Sequence, residues 1–318
     1  MSSGRHAVFI GRDAIEAARR RIAGIVVRTP LIKLEAGGAP IFLKLENLQP
    51  INSFKLRGAL NAVAMLSPER RSLGVWTASA GNAGQGLAYA ARLEEVPCTV
   101  VAPETAPATK LQRMRALGAK LIEVSYDEWW RAMEQRAFPG IEGTFISPFD
   151  NDDFIAGNAT IGLEIIEDLP EVETIIAPVG GGGLLTGVAL GARARKPNVR
   201  VFGAEPETAA PLALSFANGK PSAFTQWQPS FVDGAGGKSC FPQMWERLQP
   251  IVDGSIVVSL DETKRALRLL AEKTRVIAEG AGALAVAAAL GGKVEDAPIA
   301  AIVSGGNIEL STFCELLL

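Results

Sequence analysis

The feature that most constrains the fold is a repeated alternation. Short apolar runs end in glycine-bearing turns and pass directly into runs with helical spacing. Its sharpest instance is residues 174–179, followed by Gly180, Gly181, Gly182 and Gly183 and then by a helical run over 184–195. A short apolar stretch bounded by glycine reads as a strand buried on both faces, and an apolar residue every three or four positions reads as a helix. The pattern recurs at 74–79, before Gly81-Asn82-Ala83-Gly84 and a helix to Arg92, and at 298–303, before Ser304-Gly305-Gly306-Asn307. Further strands are expected at 41–46, 98–102, 119–124, 144–147, 200–204 and 256–260. Further helices are expected at 13–25, capped by Asp13, and at 56–66, 107–117, 127–136, 160–168, 261–277 and 281–290. Strands alternating with helices predict an α/β protein whose parallel sheets are covered on both faces. In such sheets ligands gather outside the carboxyl ends of the strands, where all three glycine turns fall.

Composition removes several classes of function. Among 318 residues, 32 Lys and Arg stand against 34 Asp and Glu with no basic block, so a nucleic-acid partner is not expected. Cys98, Cys240 and Cys314 are far apart, which suits free thiols in a reducing compartment and no zinc site. No signal peptide is read at the N-terminus, and the longest apolar stretch, 281–290, is too short to span a bilayer. A cytoplasmic protein is expected. The only histidine is His6, so histidine-based hydrolysis, general base catalysis and metal ligation are poorly provided for.

A lysine provides different chemistry. Lys55 follows a Pro/Asn/Ser turn, with Ser53 as the expected N-cap and Lys55 in the first helical turn. The helix dipole disfavours an ammonium there, and burial behind Phe54 and Leu56 lowers its pKa in the same direction. A neutral lysine is a nucleophile whose common use is a Schiff base with a carbonyl cofactor. Alone, Lys55 beside Arg57 reads as a solvated side chain; its company decides.

Gly180 to Gly183 and Leu184, at the junction of a strand and a helix, suit a phosphate, because backbone N–H groups converge there with the field of a helix start. The register fails a Rossmann fingerprint, although Glu205 ends the next strand where a ribose-binding acid would lie, so a nucleotide-binding module without catalysis is the rival class. Gly237-Lys238-Ser239 is no P-loop, since Val232 stands where the first glycine is required. Taken singly, Ser79-Ala80-Gly81-Asn82 and Ser304-Gly305-Gly306-Asn307 are turns.

In this order and spacing, however, Asn52-Ser-Phe-Lys-Leu-Arg-Gly58, Ser79-Ala-Gly-Asn82, Gly180–Gly183 and Ser304-Gly-Gly-Asn307 resemble the fold-type II pyridoxal-phosphate enzymes, in the threonine/serine dehydratase and serine racemase branch. Ser147-Pro-Phe-Asp150 and Phe154-Ile-Ala-Gly157 extend the resemblance over nearly the whole chain. It implies two parallel-sheet lobes of the tryptophan synthase β-like architecture. The large cofactor-binding domain would comprise residues 1–69 and 147–318, and a small inserted domain residues 70–146. It implies pyridoxal 5′-phosphate as cofactor, with Lys55 as the Schiff-base lysine beside Phe54. Gly180, Gly181, Gly182, Gly183 and Leu184 would hold the phosphate, Asn82 the phenolic oxygen and Ser304 the pyridine nitrogen. A hydroxyl at that nitrogen moderates the electron sink and favours loss of a β-substituent over transamination. Ser79, Ala80, Gly81, Asn82 and Ala83 would hold the substrate carboxylate. The implied reaction is β-elimination of L-threonine, L-serine or a related β-hydroxy amino acid to a 2-oxo acid and ammonia, in amino-acid catabolism, by a homodimer.

Several positions depart from the family's usual pattern. Ala83 stands where relatives have His, Gly157-Asn158-Ala159-Thr160 replaces Gly-Gln-Gly-Thr, and Ala278-Glu-Gly-Ala-Gly-Ala283 replaces Glu-Pro-Ser-Gly-Ala. These allow a bulkier substrate. Glu205 matches one ligand of a metal site of some relatives, but Pro211 takes the place of the second, so no metal is expected and Glu205 reads as a solvated strand end. With the chain ending at Leu318, no regulatory domain and no isoleucine feedback are expected. Racemase is the alternative within the family. It needs a proton donor opposite Lys55, where relatives that racemise carry Ser and this chain has Ala80.

Overall fold

In the computed structural model, residues 10–318 are described, so the expectations for His6 and the N-terminal segment lie outside them. The chain starts with α1 (Arg12–Ile22), β1 (Leu31–Leu34), β2 (Ile41–Leu45) and a 3-10 turn at Glu46–Leu48. Next come α2 (Lys55–Ala64), α3 (Pro68–Leu73), β3 (Val75–Ala78), α4 (Asn82–Leu93) and β4 (Cys98–Pro103). They are followed by α5 (Ala108–Ala116), β5 (Lys120–Val124), α6 (Tyr126–Gln135), β6 (Thr144–Phe145) and α7 (Asp152–Asp168). β7 (Thr174–Pro178), α8 (Gly183–Arg193), β8 (Arg200–Pro206), α9 (Pro211–Asn218) and α10 (Pro242–Leu248) come after these. β9 (Gly254–Val258), α11 (Leu260–Thr274), α12 (Gly280–Leu290), β10 (Ile299–Val303) and α13 (Leu310–Leu317) end the series.

Among the described residues two sheets form: a six-stranded one in the order β1-β2-β10-β7-β8-β9, and a four-stranded one in the order β5-β4-β3-β6. All pairings are parallel except β1 with β2. The expectation of wholly parallel sheets is corrected at that edge, where β1 comes back alongside β2 after only a short loop. Both faces of the large sheet are covered by apolar clusters. One gathers α11 and α12 on Leu43, Ile176 and Ile299, and the other gathers α8 and α10 on Ile175, Ala177 and Ile302. A third, with Leu56, Leu60, Leu87 and Val100, joins α2 to the small sheet.

Local chemistry explains several boundaries. Ser125 and Ser259 cap α6 and α11 with reciprocal capping boxes to Glu128 and Glu262. α1 is preceded by Gly11 without a side-chain cap, so Asp13 lies inside its first turn and does not cap it. α7 starts at Asp152 and not near Thr160, because Asn151 accepts from the Phe154 N–H at 2.8 Å.

A buried ionic network fixes α2 to α7. Arg57 is fully buried and forks onto Glu46 (Nε to Oε2 2.8 Å, Nη2 to Oε1 2.8 Å) and onto Glu164 (Nη1 to Oε1 2.7 Å, Nη2 to Oε2 2.9 Å). Lys44 adds a second ammonium 2.7 Å from Glu164 Oε2. Burial opposes the Arg57 charge, but Glu46 and then Glu164 more than reverse this and raise its pKa. Thr160, which keeps the family pattern beside the departing Asn158 and Ala159, joins this network: its hydroxyl accepts from Arg57 Nη1 at 3.1 Å and donates to the Gly157 carbonyl at 2.6 Å.

Candidate active site

The site is assembled from four strand ends. β2, β3, β7 and β10 point their carboxyl ends toward it, and each passes into a turn carrying one of the sequence motifs. Backbone hydrogen bonds tie the first and last of these turns together. The Phe54 N–H donates to the Ser304 carbonyl at 3.0 Å, the Gly306 N–H donates to the Asn52 carbonyl at 2.9 Å, and Ser53 bridges Gly305. The Asn307 amide also donates to the Ile51 carbonyl at 2.8 Å. Residues some 250 apart in sequence are thus held as neighbours by β-like pairing.

Lys55 opens α2 as expected, but Ser53 is not its cap. The capping position is Phe54, itself in a helical conformation, and Ser53 Oγ only accepts at 3.4 Å from the Lys55 N–H. The Lys55 side chain is half-buried, with Nζ 4.9 Å from the centre of the Phe54 ring and donating to the Pro148 carbonyl at 3.2 Å. No carboxylate lies within ion-pair distance of it among the described residues. Burial therefore pushes its pKa down to about 8, against a smaller upward pull from Glu279.

The glycine loop after β7 is shaped by what packs on it. A Cβ on Gly181 would come within 2.5 Å of the Phe149 ring, and one on Gly183 within 2.5 Å of the Phe149 backbone. Gly182 sits at φ +92°, in the left-handed region. The first N–H groups of α8 have no acceptor inside the helix and supply an anion site at the end of an 11-residue helix. Asn158, the second departure from the family pattern, donates to the Gly183 carbonyl at 3.3 Å and pins this start.

After β3, Ser79 is buried, and its hydroxyl accepts from the N–H groups of Gly81 and Gly84, both at 3.1 Å. That shapes a turn in which the Asn82 and Ala83 amides open α4; Ala80, Gly81, Asn82 and Ala83 are all half-exposed. Asn82 Nδ2 donates to Glu279 Oε1 at 2.7 Å, and Asn82 Oδ1 accepts from Asn307 Nδ2 at 2.8 Å. Asn307 in turn pairs with Arg113. Ser304 is buried, with its carbonyl held by the Phe54 N–H.

Glu279 was not assigned a role from sequence. It is 3 % exposed, and its Oε2 has no partner. Burial first and the Asp233 charge second push its pKa up to about 7, opposed by Lys110 and Asn82. Nothing local distinguishes it among the small residues around it; its role comes from α12 starting beside Gly305. Glu205 corrects the reading of a solvated strand end. It is fully buried, accepts from the Leu212 and Ala213 N–H groups at 2.9 and 2.8 Å and from the Ser255 hydroxyl at 2.7 Å, and burial pushes it up to about 7. Its carboxylate holds the start of α9. Among the described residues no group of three or more His, Cys, Asp or Glu is placed to hold a metal ion.

These residues fit a phosphorylated aromatic aldehyde. The loop carries no side chain where a phosphate would sit, and the Asn82 amide is already aimed at an anionic oxygen, that of Glu279. An unpaired lysine of lowered pKa stands among three strand-end turns. Fold and site together define an α/β enzyme of the Schiff-base class.

The chain belongs to the pyridoxal-phosphate-dependent enzyme family, whose pattern it matches over residues 22–305. It is 39 % identical over 314 residues to the L-threonine ammonia-lyase of Thermotoga maritima, covering 95 % of this chain and 77 % of that one. With the catabolic L-threonine dehydratase of Staphylococcus aureus it shares 38 % identity over 320 residues, 96 % of this chain and 91 % of the relative. The structure of maize serine racemase superposes with a TM-score of 0.90 at 34 % identity, covering 96 % of both chains.

Proposed function

We propose that this protein is a pyridoxal-phosphate-dependent ammonia-lyase. It removes water and ammonia from L-threonine, L-serine or a related β-hydroxy amino acid to leave a 2-oxo acid. The observation that carries the reading is Lys55: half-buried, without a carboxylate partner, held near pKa 8 where three glycine-bearing turns meet. The 38–39 % identity to threonine ammonia-lyase and dehydratase supports the substrate class.

Pyridoxal phosphate, when bound, supplies a carbonyl for the substrate amine and an electron sink that acidifies the Cα–H bond. Lys55 is the residue that would hold it covalently, and its amine is the group placed to take the Cα proton of the substrate. A pKa near 8 leaves a useful fraction unprotonated at neutral pH, which an ordinary lysine at 10.5 does not. Gly180, Gly181, Gly182, Gly183 and Leu184 would hold the phosphate with N–H groups at the start of α8. Asn82 would donate to the cofactor's phenolic oxygen, and Ser304 would offer a hydroxyl to the ring nitrogen without fixing a proton there. Ser79, with the backbone of Ala80, Gly81, Asn82 and Ala83, orients the substrate carboxylate at the start of α4. The β-hydroxyl leaves, and the enamine product hydrolyses to the 2-oxo acid and ammonia.

The four-stranded sheet and its helices form the small domain, residues 70–146, inserted between the parts of the large one, 1–69 and 147–318. In this reading the enzyme works as a homodimer in the reducing cytoplasm, where its three unpaired cysteines stay thiols. Its mass in solution checks the dimer.

The test of the main reading is direct. Protein loaded with the cofactor should absorb in the visible, be fixed at Lys55 by borohydride, and convert L-threonine to 2-oxobutanoate and ammonia. A colourless protein that retains a nucleotide would overturn it. The racemase reading has one observation in its favour, the likeness to maize serine racemase. Against it stands Ala80, whose methyl cannot pass a proton to the face opposite Lys55. The unmodified protein should therefore racemise serine negligibly, and Ala80→Ser should gain measurable D-serine formation; efficient interconversion by the unmodified protein would reverse the assignment.

A further inference from the structure

The space beside Lys55 is walled by aromatic side chains that the elimination chemistry does not require. A cavity of about 230 Å³ touches Lys55, Gly180 and Gly181, and its wall on the small-sheet side is Trp129, Trp130 and Met133 of α6. Phe149 and Phe241, stacked with ring centres 5.3 Å apart, also line it. Trp129 is anchored in the cluster that contains Trp76, Ala78 and Val101, so the wall stands next to the strand end that leads into Ser79. Its indole N–H is buried and has no hydrogen-bond partner.

The wall is also braced from the other side. Lys238, which pairs with no carboxylate among the described residues, places its ammonium 4.8 Å from the Trp227 ring, 5.2 Å from Tyr126 and 5.9 Å from Trp130. Cation–π contact of this kind fixes the indole face of Trp130 across the gap between α6 and the loop of Gly234 to Ser239. Lys55, Gly180 and Gly181 belong to the cofactor's end of this cavity, so the aromatic end is what remains for a substrate side chain. A β-methyl or a bare β-carbon would leave it uncovered, and apolar surface against apolar surface is what such a cavity selects.

We propose that this aromatic wall makes the enzyme select β-hydroxy amino acids whose β-carbon carries an aryl or large branched alkyl group, with Trp130 as the main specificity determinant. The proposal rests on the elimination reading above. The reaction balances in the same way as for threonine. Lys55 takes the Cα proton, the Cβ–O bond breaks and the hydroxyl leaves as water, and the enamine then takes up water to release ammonia. L-3-phenylserine thus gives phenylpyruvate and ammonia, with no oxidant or reductant.

The experiment uses the cofactor-loaded protein and two probes that lack a β-hydroxyl, L-phenylalanine and L-2-aminobutyrate, with tryptophan fluorescence as the binding readout. L-Phenylalanine should bind at least tenfold more tightly. In Trp130→Ala that preference should fall about tenfold, while Trp130→Phe, which keeps an aromatic face, should retain most of it. The ratio of kcat/KM for L-3-phenylserine to that for L-threonine should equal or exceed one in the native enzyme and fall in parallel. Equal binding of the two probes, or a preference that Trp130→Ala leaves unchanged, would overturn the proposal. A protein inert toward both hydroxy amino acids that still selects L-phenylalanine would sink the elimination reading and leave the aromatic pocket standing.

Discussion

Two cations on α2, Lys55 and Arg57, sit two residues apart and meet opposite environments. On the Arg57 side the interior provides two carboxylates, a second cation and a threonine hydroxyl, so every guanidinium N–H is used and the charge is fixed. On the Lys55 side it provides one carbonyl, two aromatic rings and a carboxyl that acts only from beyond hydrogen-bond reach. Burial acts on both. A buried charge with complete partners becomes structure, whereas one left short of partners becomes reactive, because its neutral form is then within reach near neutral pH. Residue type reinforces the division, since arginine stays charged under any pairing and lysine does not. The paired cation also serves the unpaired one by fixing the helix from which Lys55 projects.

That contrast can be broken by exchanging what each residue loses. The largest effect should come from Lys55→Ala, which removes the base and the covalent attachment together. Turnover of L-threonine should fall roughly 10²–10⁴-fold or more while the cofactor is still retained noncovalently, as dialysis and absorbance will show. Near-normal turnover would mean that Lys55 is not the reactive cation.

Arg57→Met should act on stability instead. Glu46 and Glu164 would be left buried with fewer partners, at a cost of about 3–5 kcal/mol in unfolding free energy, read from denaturant melts. A loss under about 1 kcal/mol would show that the network relaxes around the missing charge.

The third test is the pH dependence of the apoprotein. Lys55 holds its proton below pH 8 when folded but up to about 10.5 when unfolded, so between these values the unfolded state binds more protons and stability should rise with pH. Below pH 8 both states are charged and the full burial penalty is present. The gain amounts to at most about 3 kcal/mol, reduced by the residual exposure of the side chain. Lys55→Met should flatten that rise, and a Lys55→Met protein that still gains stability over this range would assign the effect to another group.

The smallest change is expected from Glu279→Gln. Removing the one negative charge that supports the Lys55 ammonium should lower the lysine pKa further, moving the midpoint of its labelling by a small aldehyde and borohydride to lower pH in the apoprotein. A midpoint that moves upward would show that Glu279 does not face Lys55 as a negative charge.

Much of this arrangement was legible in the chain. The strands β2 to β10 and the longer helices follow from apolar runs and glycine stops, and the motifs around Lys55, Ser79, Gly180 and Ser304 were found where strands end. The short elements β1, α3, α9, α10 and α13 were not, because a few amphipathic residues carry too little periodicity to rise above loop. The first half of α7 was missed for another reason. Its Gly157 and Asn158 are poor helix formers, and the close packing of α7 on α2 and α8, where Cβ atoms would clash with backbone, overrides that preference.

What the sequence determined by itself was order: which turns carry glycine, which strand leads into which helix, and that a lysine and no histidine is available for the chemistry. Such features are local, set by backbone sterics and side-chain periodicity within a dozen residues. Only the tertiary structure decided which charges are satisfied. Whether Arg57 is solvated or buried, whether Glu205 is a strand end in water or the anchor of α9, and whether Lys55 finds a carboxylate all depend on partners tens to hundreds of residues away. Desolvation and Coulomb energy depend on distance and burial and not on neighbours in the chain. Lys55 and Arg57 differ in function because the fold, and not the sequence around them, sets what stands opposite each.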